Sequence, residues 1–292
     1  MKMYRDHSAP TLSSHKYLLF GRVSVEVKAA KGPGVITAIV LKSDSGDEID
    51  WVILSLPTFH IQLTSQEMLG AFNNQAQTNY FYDGQALFNT YNTTYALSSN
   101  SYDAFHLYSV EWTDESLKFS IDNVVHKTWH KGDGDGPDTI PAQKWPQTPM
   151  QVKIGLWAVN GTSDDAGEIV WAGGVPDWDK DQPYTAYFNK VEVEDYKGWC
   201  EELNLGEVEY QYDERTKGWQ DVKVLGCKKR RAPGVLSPEN PKPLPSSTDG
   251  GSQASETGGD APKQIGDKKD NAPLTGMSAS LAAVVGLGWL FL

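Results

Sequence analysis

Cysteine is nearly absent from this chain: Cys200 and Cys227 are the only two. Two thiols without suitably spaced histidines cannot build a zinc cluster. In a secreted protein they would pair and close a loop near the end of the folded region; the alternative is two unrelated thiols. Histidine is sparse as well. His106, His126 and His130 fall among expected strands with no acidic ligands in register, so neither a metal nor a cofactor is expected. There is no basic excess: the net charge is −12, and a nucleic-acid partner is excluded because a phosphate backbone needs a basic stripe. A neutral polymer fits better. Long helical patterns are missing, and the opening "MKMYRDHSAP" has no apolar segment of the kind that directs secretion.

What is present is aromatic. Residues FWY make up 11% of the chain, with 10 Trp and 13 Tyr. They can fill a β-rich core, and their flat faces can also stack on the apolar faces of sugars. Residues 16–30, "KYLLFGRVSVEVKAA", alternate in their second half, with Val23, Val25 and Val27 on one face. A Gly-Pro-Gly turn precedes an apolar run from Val35. Residues 104–129 read as a meander that turns at 113–115 and at Asp122-Asn123. "MQVKIGLWAV" (150–159) and "AYFNKVEVEDY" (186–196) are further strands. Many short strands separated by turn residues predict an all-β protein, an antiparallel β-sandwich of the jelly-roll, concanavalin-like kind.

Composition divides the chain further. Residues 1–199 form the expected catalytic domain, and 200–232 an extension holding the cysteines. Residues 233–275, rich in Pro, Ser, Gly and charge, are expected to be a disordered stalk. The apolar residues 276–292 end the chain without a basic flank. With the polar spacer before them they fit a glycolipid-anchor signal, with Asn271 or Gly266 as the attachment point; the alternative is an uncleaved tail anchor. Asn92-Thr93-Thr94 and Asn160-Gly161-Thr162 are glycosylation sequons. An anchored glycoprotein must enter the secretory pathway, so the expectation is that the natural protein begins further upstream, with a signal and the first strands.

The chemistry centres on "GDEIDW" (46–51). Alternate residues of a strand share a face, so Glu48 and Asp50 project together. A retaining glycosidase needs two carboxylates about 5–5.5 Å apart, one to attack the anomeric carbon and one to protonate the leaving oxygen. A third acid between them can hold a proton and separate their pKa values. Here Val52 stands where the last acid should be, and Glu67 is the next carboxylate. Removing residues 52–66 would join Trp51 to Glu67 and complete the row. Val codons begin GT, a Gln codon can be CAG, and Leu63-Thr64 can encode a branch-like CTNAC. The segment therefore reads as a retained intron translated in frame, or else as a genuine loop insertion.

With the acids in view, "DEIDW", "QTNYF" (77–81), "FGRVSVEVKAA" (20–30), "WPQTPM" (145–150), "KIGLWA" (153–158) and "IVWAGGVPDW" (169–178) resemble glycoside hydrolase family 16, and within it the fungal Crh cell-wall transglycosylases. The resemblance covers residues 8–196. It implies a β-jelly roll with a concave glycan cleft, Glu48 as nucleophile, Asp50 as assisting acid and Glu67 as general acid/base. It implies a covalent glycosyl-enzyme formed from a chitin donor and passed to a β-glucan acceptor, at the cell wall and on the outer face of the plasma membrane, with the membrane reached only through a lipid anchor. Lys153 and Trp157, on one strand face, match positions that hold the donor sugar. Glu168 stands where relatives place a sugar-contacting Thr. Asn79 and Tyr80 are expected in the cleft. Trp112 is a core or cleft residue, and Arg22 lines the cleft or pairs with an acid such as Glu26. An endo-β-glucanase of the same fold and a catalytically inactive wall-glycan binder are the alternatives.

Overall fold

The computed structural model describes residues 1–5, 9–54, 75–85, 90–164, 166–204, 206–213, 215–216 and 218–232. Glu67, the greater part of 52–66, the stalk and the tail with Gly266 and Asn271 lie outside the described residues.

In chain order the strands begin with β1 (Lys2–Met3), β2 (Thr11–Leu18), β3 (Gly21–Lys28), β4 (Val35–Lys42), β5 (Glu48–Leu54) and β6 (Gln75–Phe81). They continue with β7 (Thr93–Ala96), β8 (His106–Trp112), β9 (Ser116–Ile121), β10 (Val124–Gly132), β11 (Thr139–Pro141) and β12 (Met150–Ala158). After α1 (Ala166–Trp171) come β13 (Tyr184–Thr185) and β14 (Tyr187–Asp195). Two six-stranded sheets result, ordered β2-β12-β4-β5-β6-β7 and β11-β10-β9-β8-β3-β14. The pairs are antiparallel except β10 with β11. The sandwich expected from the alternation is what forms. The β9–β10 turn sits at Asp122-Asn123, both at positive φ (50° and 68°), as a tight hairpin requires.

The core lies between the sheets. Val23, Val25, Tyr108, Val110, Phe119, Ile39, Ile49, Trp51 and Ile53 are all buried there. Trp51 spans the interface: its ring meets Tyr108 and Phe119 at centroid distances of 5.4 Å, and its Nε1 donates to the Ser109 carbonyl at 3.2 Å. Trp112 is wholly buried, with its Nε1 donating to the Pro146 carbonyl at 2.9 Å. It is a core residue.

Strand β4 is buried along nearly its whole length, on both faces. Ile39 and Leu41 join the main core, whereas Ile36, Ala38 and Val40 form a second apolar cluster with Val159 and Ala172. The segment carrying α1 therefore lies against the outer face of this sheet.

Beyond residue 199, β15 (Cys200–Leu203) pairs with β18 (Cys227–Arg230), and β16 (Glu209–Gln211) pairs with β17 (Lys223–Leu225). Cys200 and Cys227 form a disulfide. Trp219 and Val222 enter the same core as Phe20 and Trp112. Arg231 donates to Asp114 at 2.9 Å with both side chains buried. The extension is thus packed into the sandwich.

Candidate active site

The hairpin β4–β5 creates the site. Its connection, "SDSGD", is short because Gly46 adopts φ 94°. A side chain there would collide with Gly84, whose backbone nitrogen would lie 2.3 Å from a Cβ. Asp47 then clamps the turn. Its carboxylate accepts from Thr148 Oγ1 (2.7 Å), Thr148 N (3.0 Å), Gln147 N (2.8 Å) and Asp83 N (3.1 Å). Burial pushes this carboxyl above its ordinary range even against those donors.

Register carries the acids onto the outer face. Lys42 pairs with Glu48, Val40 with Asp50 and Ala38 with Val52. On the other side Asp50 opposes Asn79 and Val52 opposes Gln77. Lys153 opposes Val40, and Trp157 opposes Ile36. Directly opposed residues project to the same face. Lys153, Val40, Asp50 and Asn79 consequently form one row across four strands, with Glu48 and Trp157 to either side of it. The expected cleft residues Glu48, Asp50, Asn79, Lys153 and Trp157 are brought together.

Tyr80 is not among them. It opposes Ile49, is fully buried in the core, and stacks near Tyr91 at 4.7 Å. Neighbours on a strand face opposite ways, so Asn79 and Tyr80 cannot both line one cleft. Arg22 takes the second of its two expected roles, with Glu111 rather than Glu26 as the acid. It pairs with Glu111 at 2.5 Å on the other sheet, because β3 opposes Glu111 to Arg22 directly. Glu168 lies half-buried on α1, one helical turn before Trp171. Asn92 and Asn160 are exposed.

Glu48 and Asp50 are 4% and 3% exposed. Glu48 forms an ion pair with Lys42. Asp50 is held well above the usual carboxylate range by burial, by the Glu48 charge and by a hydrogen bond with it, while Lys42 acts in the opposite direction. Asp50 Oδ1 is buried without a hydrogen-bond partner among the described residues. The physical picture is one proton held at Asp50 beside an anionic Glu48 that Lys42 balances.

Several contributors escaped the sequence reading. Lys42 was accessible to it: a tight turn centred on Ser45 must oppose residues 42 and 48. Trp171 was not. It stacks on Trp157 (6.1 Å, 23°) and donates from Nε1 to Gln77 Oε1 at 2.8 Å. The two indoles and Val52 pack on the cluster around Ala38, giving this end of the acid row an apolar, aromatic lining. Among the described residues no group of three or more His, Cys, Asp and Glu side chains could hold a metal.

The outer face of the sandwich thus carries two of the three acids of the expected row, Glu48 and Asp50, beside an indole pair, with Val52 in the third position. Comparison with known proteins agrees. Residues 1–173 match Glycosyl hydrolases family 16. Crh-like protein 5 of Aspergillus fumigatus is 36% identical over 219 residues, covering 75% of this chain and 48% of that protein. Crh-like protein 2 of Botryotinia fuckeliana is 30% identical over 285 residues, covering 95% of this chain and 52% of that one. The chain thus spans about half the length of these curated relatives. A solved Crh5 transglycosylase in complex with NAG aligns with a TM-score of 0.62 at 32% identity, over 76% of this chain and 80% of that one. The chain belongs to glycosyl hydrolases family 16, with the Crh-like proteins among its relatives.

Proposed function

We propose that this chain carries the catalytic domain of a retaining transglycosylase. It cleaves chitin and passes the glycosyl chain to a β-glucan hydroxyl at the fungal cell wall, outside the plasma membrane, where a lipid anchor replacing residues 276–292 holds it. The observation that carries the reading is the pairing of Glu48 with Asp50 on a face that also bears Asn79, Lys153 and Trp157. The NAG bound to the similar Crh5 transglycosylase supports an N-acetylglucosamine polymer as donor.

In this reading Glu48 attacks the anomeric carbon and expels the leaving sugar. Asp50 keeps its proton and holds the nucleophile by their shared hydrogen bond. Trp157 offers a stacking face, and Lys153 donates to sugar hydroxyls. An acceptor sugar hydroxyl, positioned better than water, then displaces Glu48, giving its proton back to the residue that protonated the leaving sugar and restoring the Glu48 carboxylate.

The proton donor is Glu67, brought to the slot of Val52 in a chain lacking residues 52–66. Register supports this. Strand β5 pairs Leu54 with Gln75, Ile53 with Ala76 and Val52 with Gln77. In the shortened chain Glu67, Met68 and Leu69 follow Trp51, and "GAFNN" (70–74) leads to Gln75. The same pairing is kept with a five-residue hairpin loop. An apolar residue still follows into the buried slot of Ile53. Four strand residues separate Cα atoms by about 13 Å, a gap that two inward-leaning glutamates close to the spacing retention needs. The slot beside Trp157 and Trp171 also raises a carboxyl's pKa, as a general acid requires.

The test is incorporation of a labelled β-1,3-glucan oligosaccharide into products with chitin as donor, using the chain with and without residues 52–66. Label incorporated by the shorter chain supports transfer. Chitin cleavage without incorporation would indicate hydrolysis. In the chain as it stands, Val52 favours the second reading, a glycan binder without turnover. If neither form cleaves and both bind chitin, that reading replaces the first.

A further inference from the structure

We propose that the C-terminal hairpin β16–β17 supplies an outer saccharide subsite, so that the glycan track runs past the acids to a cavity beside the β4–β5 turn. A cavity of about 570 Å³ lies there, between Asp44 and Ser45 of the β4–β5 turn and Tyr210, Gln211, Tyr212 and Arg215 of the extension. Its size falls in the range of small-molecule sites. The inference rests on the transglycosylase reading for the direction of the glycan, and on separate residues for the site.

Register links the cavity to the nucleophile. Glu48 opposes Lys42, Lys42 opposes Gln151, and Gln151 opposes Tyr17. These four residues form a second row on the acid face, parallel to the one through Asp50. Strand spacing puts Tyr17 about 14 Å across the sheet from Glu48. Tyr17 then meets Tyr212 edge to face, with ring centroids 6.3 Å apart. Their hydroxyls lie 2.9 and 3.2 Å from the same Asp44 oxygen. Burial and Asp44 push the Tyr17 phenol up to about 12 and raise the Tyr212 phenol as well, so both tyrosines are neutral donors near neutral pH.

The chemistry of the walls favours a neutral, hydroxyl-rich ligand. Asp44 already accepts from two phenols. Asp213 and Arg215 bring one charge of each sign, Ser45 and the Gln211 amide add short-range donors and acceptors, and the tyrosine rings add flat apolar surface. That combination of a stacking surface with orienting polar groups suits a hexose. The walls are also firm. The Asp47 clamp holds the turn, and the Ser43 hydroxyl donates to Thr148 Oγ1 at 2.8 Å, since the Thr148 proton goes to Asp47. On the other side Tyr210 donates to Asp195, with oxygens at 2.9 and 3.0 Å.

The test uses the full chain with Glu48→Gln, titrated calorimetrically with the β-1,3-linked glucose hexamer and the β-1,4-linked N-acetylglucosamine hexamer. Gln211→Ala combined with Arg215→Ala, both exposed positions, is expected to weaken binding of at least one hexamer about fivefold, the worth of one or two net hydrogen bonds. Binding should change little between 0.05 and 0.5 M salt, since a neutral ligand is not screened. Tyr212→Phe keeps the ring and should weaken binding less than Tyr212→Ala; near-ultraviolet circular dichroism checks that each variant is folded. Hexamer affinities within twofold of the parent in both the double variant and Tyr212→Ala would overturn the subsite, as would failure of the Glu48→Gln chain to bind either hexamer. Transfer by the form lacking residues 52–66, lost or kept on Glu48→Gln, reports on the cleft alone, so the two readings fail separately.

Discussion

The two faces of β5 make opposite demands on the same seven residues. Inward, Ile49, Trp51 and Ile53 are almost fully excluded from water and surrounded by apolar neighbours. Outward, Glu48 and Asp50 are equally buried yet charged or proton-bearing, balanced by one lysine and one shared proton. The inner face stabilises the sandwich. The outer face holds carboxyls against their desolvation cost, which the well-packed inner face offsets. Substitutions on the two faces should therefore separate stability from activity.

The largest effect is expected at the outer face. Deleting residues 52–66 should raise transfer by about 10²–10⁴-fold, the usual worth of a positioned general acid, and Glu67→Gln in that form should return it to background. In the same form Glu48→Gln should lose roughly 10³-fold or more in kcat while Tm falls little. If Glu48→Gln instead lowered Tm as much as a core truncation, the division between faces would be wrong.

Next comes Trp51→Ala. It should cost about 3–5 kcal/mol in denaturant unfolding, because a ring that touches both sheets leaves a cavity. Trp157→Ala removes a stacking face and should raise the donor KM by about 3–10-fold, with kcat nearly unchanged. Smallest is Asp50→Asn. Asp50 has a raised folded-state pKa, so its contribution to stability is complete at low pH, below the unfolded carboxylate pKa, and is lost as pH rises through the raised value. The Asn variant should therefore exceed the parent in Tm at pH 8 and do so by less at pH 4. A difference independent of pH would place the shift elsewhere.

Much of this contrast could be read from the chain itself. Alternation in β3 and in "EIDW" specifies which residues turn inward, since the period of a strand is two. The faces of "QTNYF" were harder, because both Asn79 and Tyr80 look like sugar-binding residues and only the partner register decides between them. The extension was harder still. Its strands are short, and its anchors Trp219, Val222 and Arg231 are scattered among polar residues. Their contacts with Phe20 and Asp114 join residues at least 117 positions apart, and no local pattern encodes such pairs. The indole of Trp171 reaches Gln77 across another long separation, so this lining of the cleft emerges only once the fold is formed.

The Asp47 clamp has a bearing on how such a protein can change length. A slip of one position would send the acids into the oily interior and Trp51 into water. Four donors drawn from three residues remote in sequence or across a turn forbid that slip at the upstream end. Residues added or removed downstream of Trp51 would then change the length of the chain while Glu48 and Asp50 keep their address, which makes the far end of this strand the tolerant one.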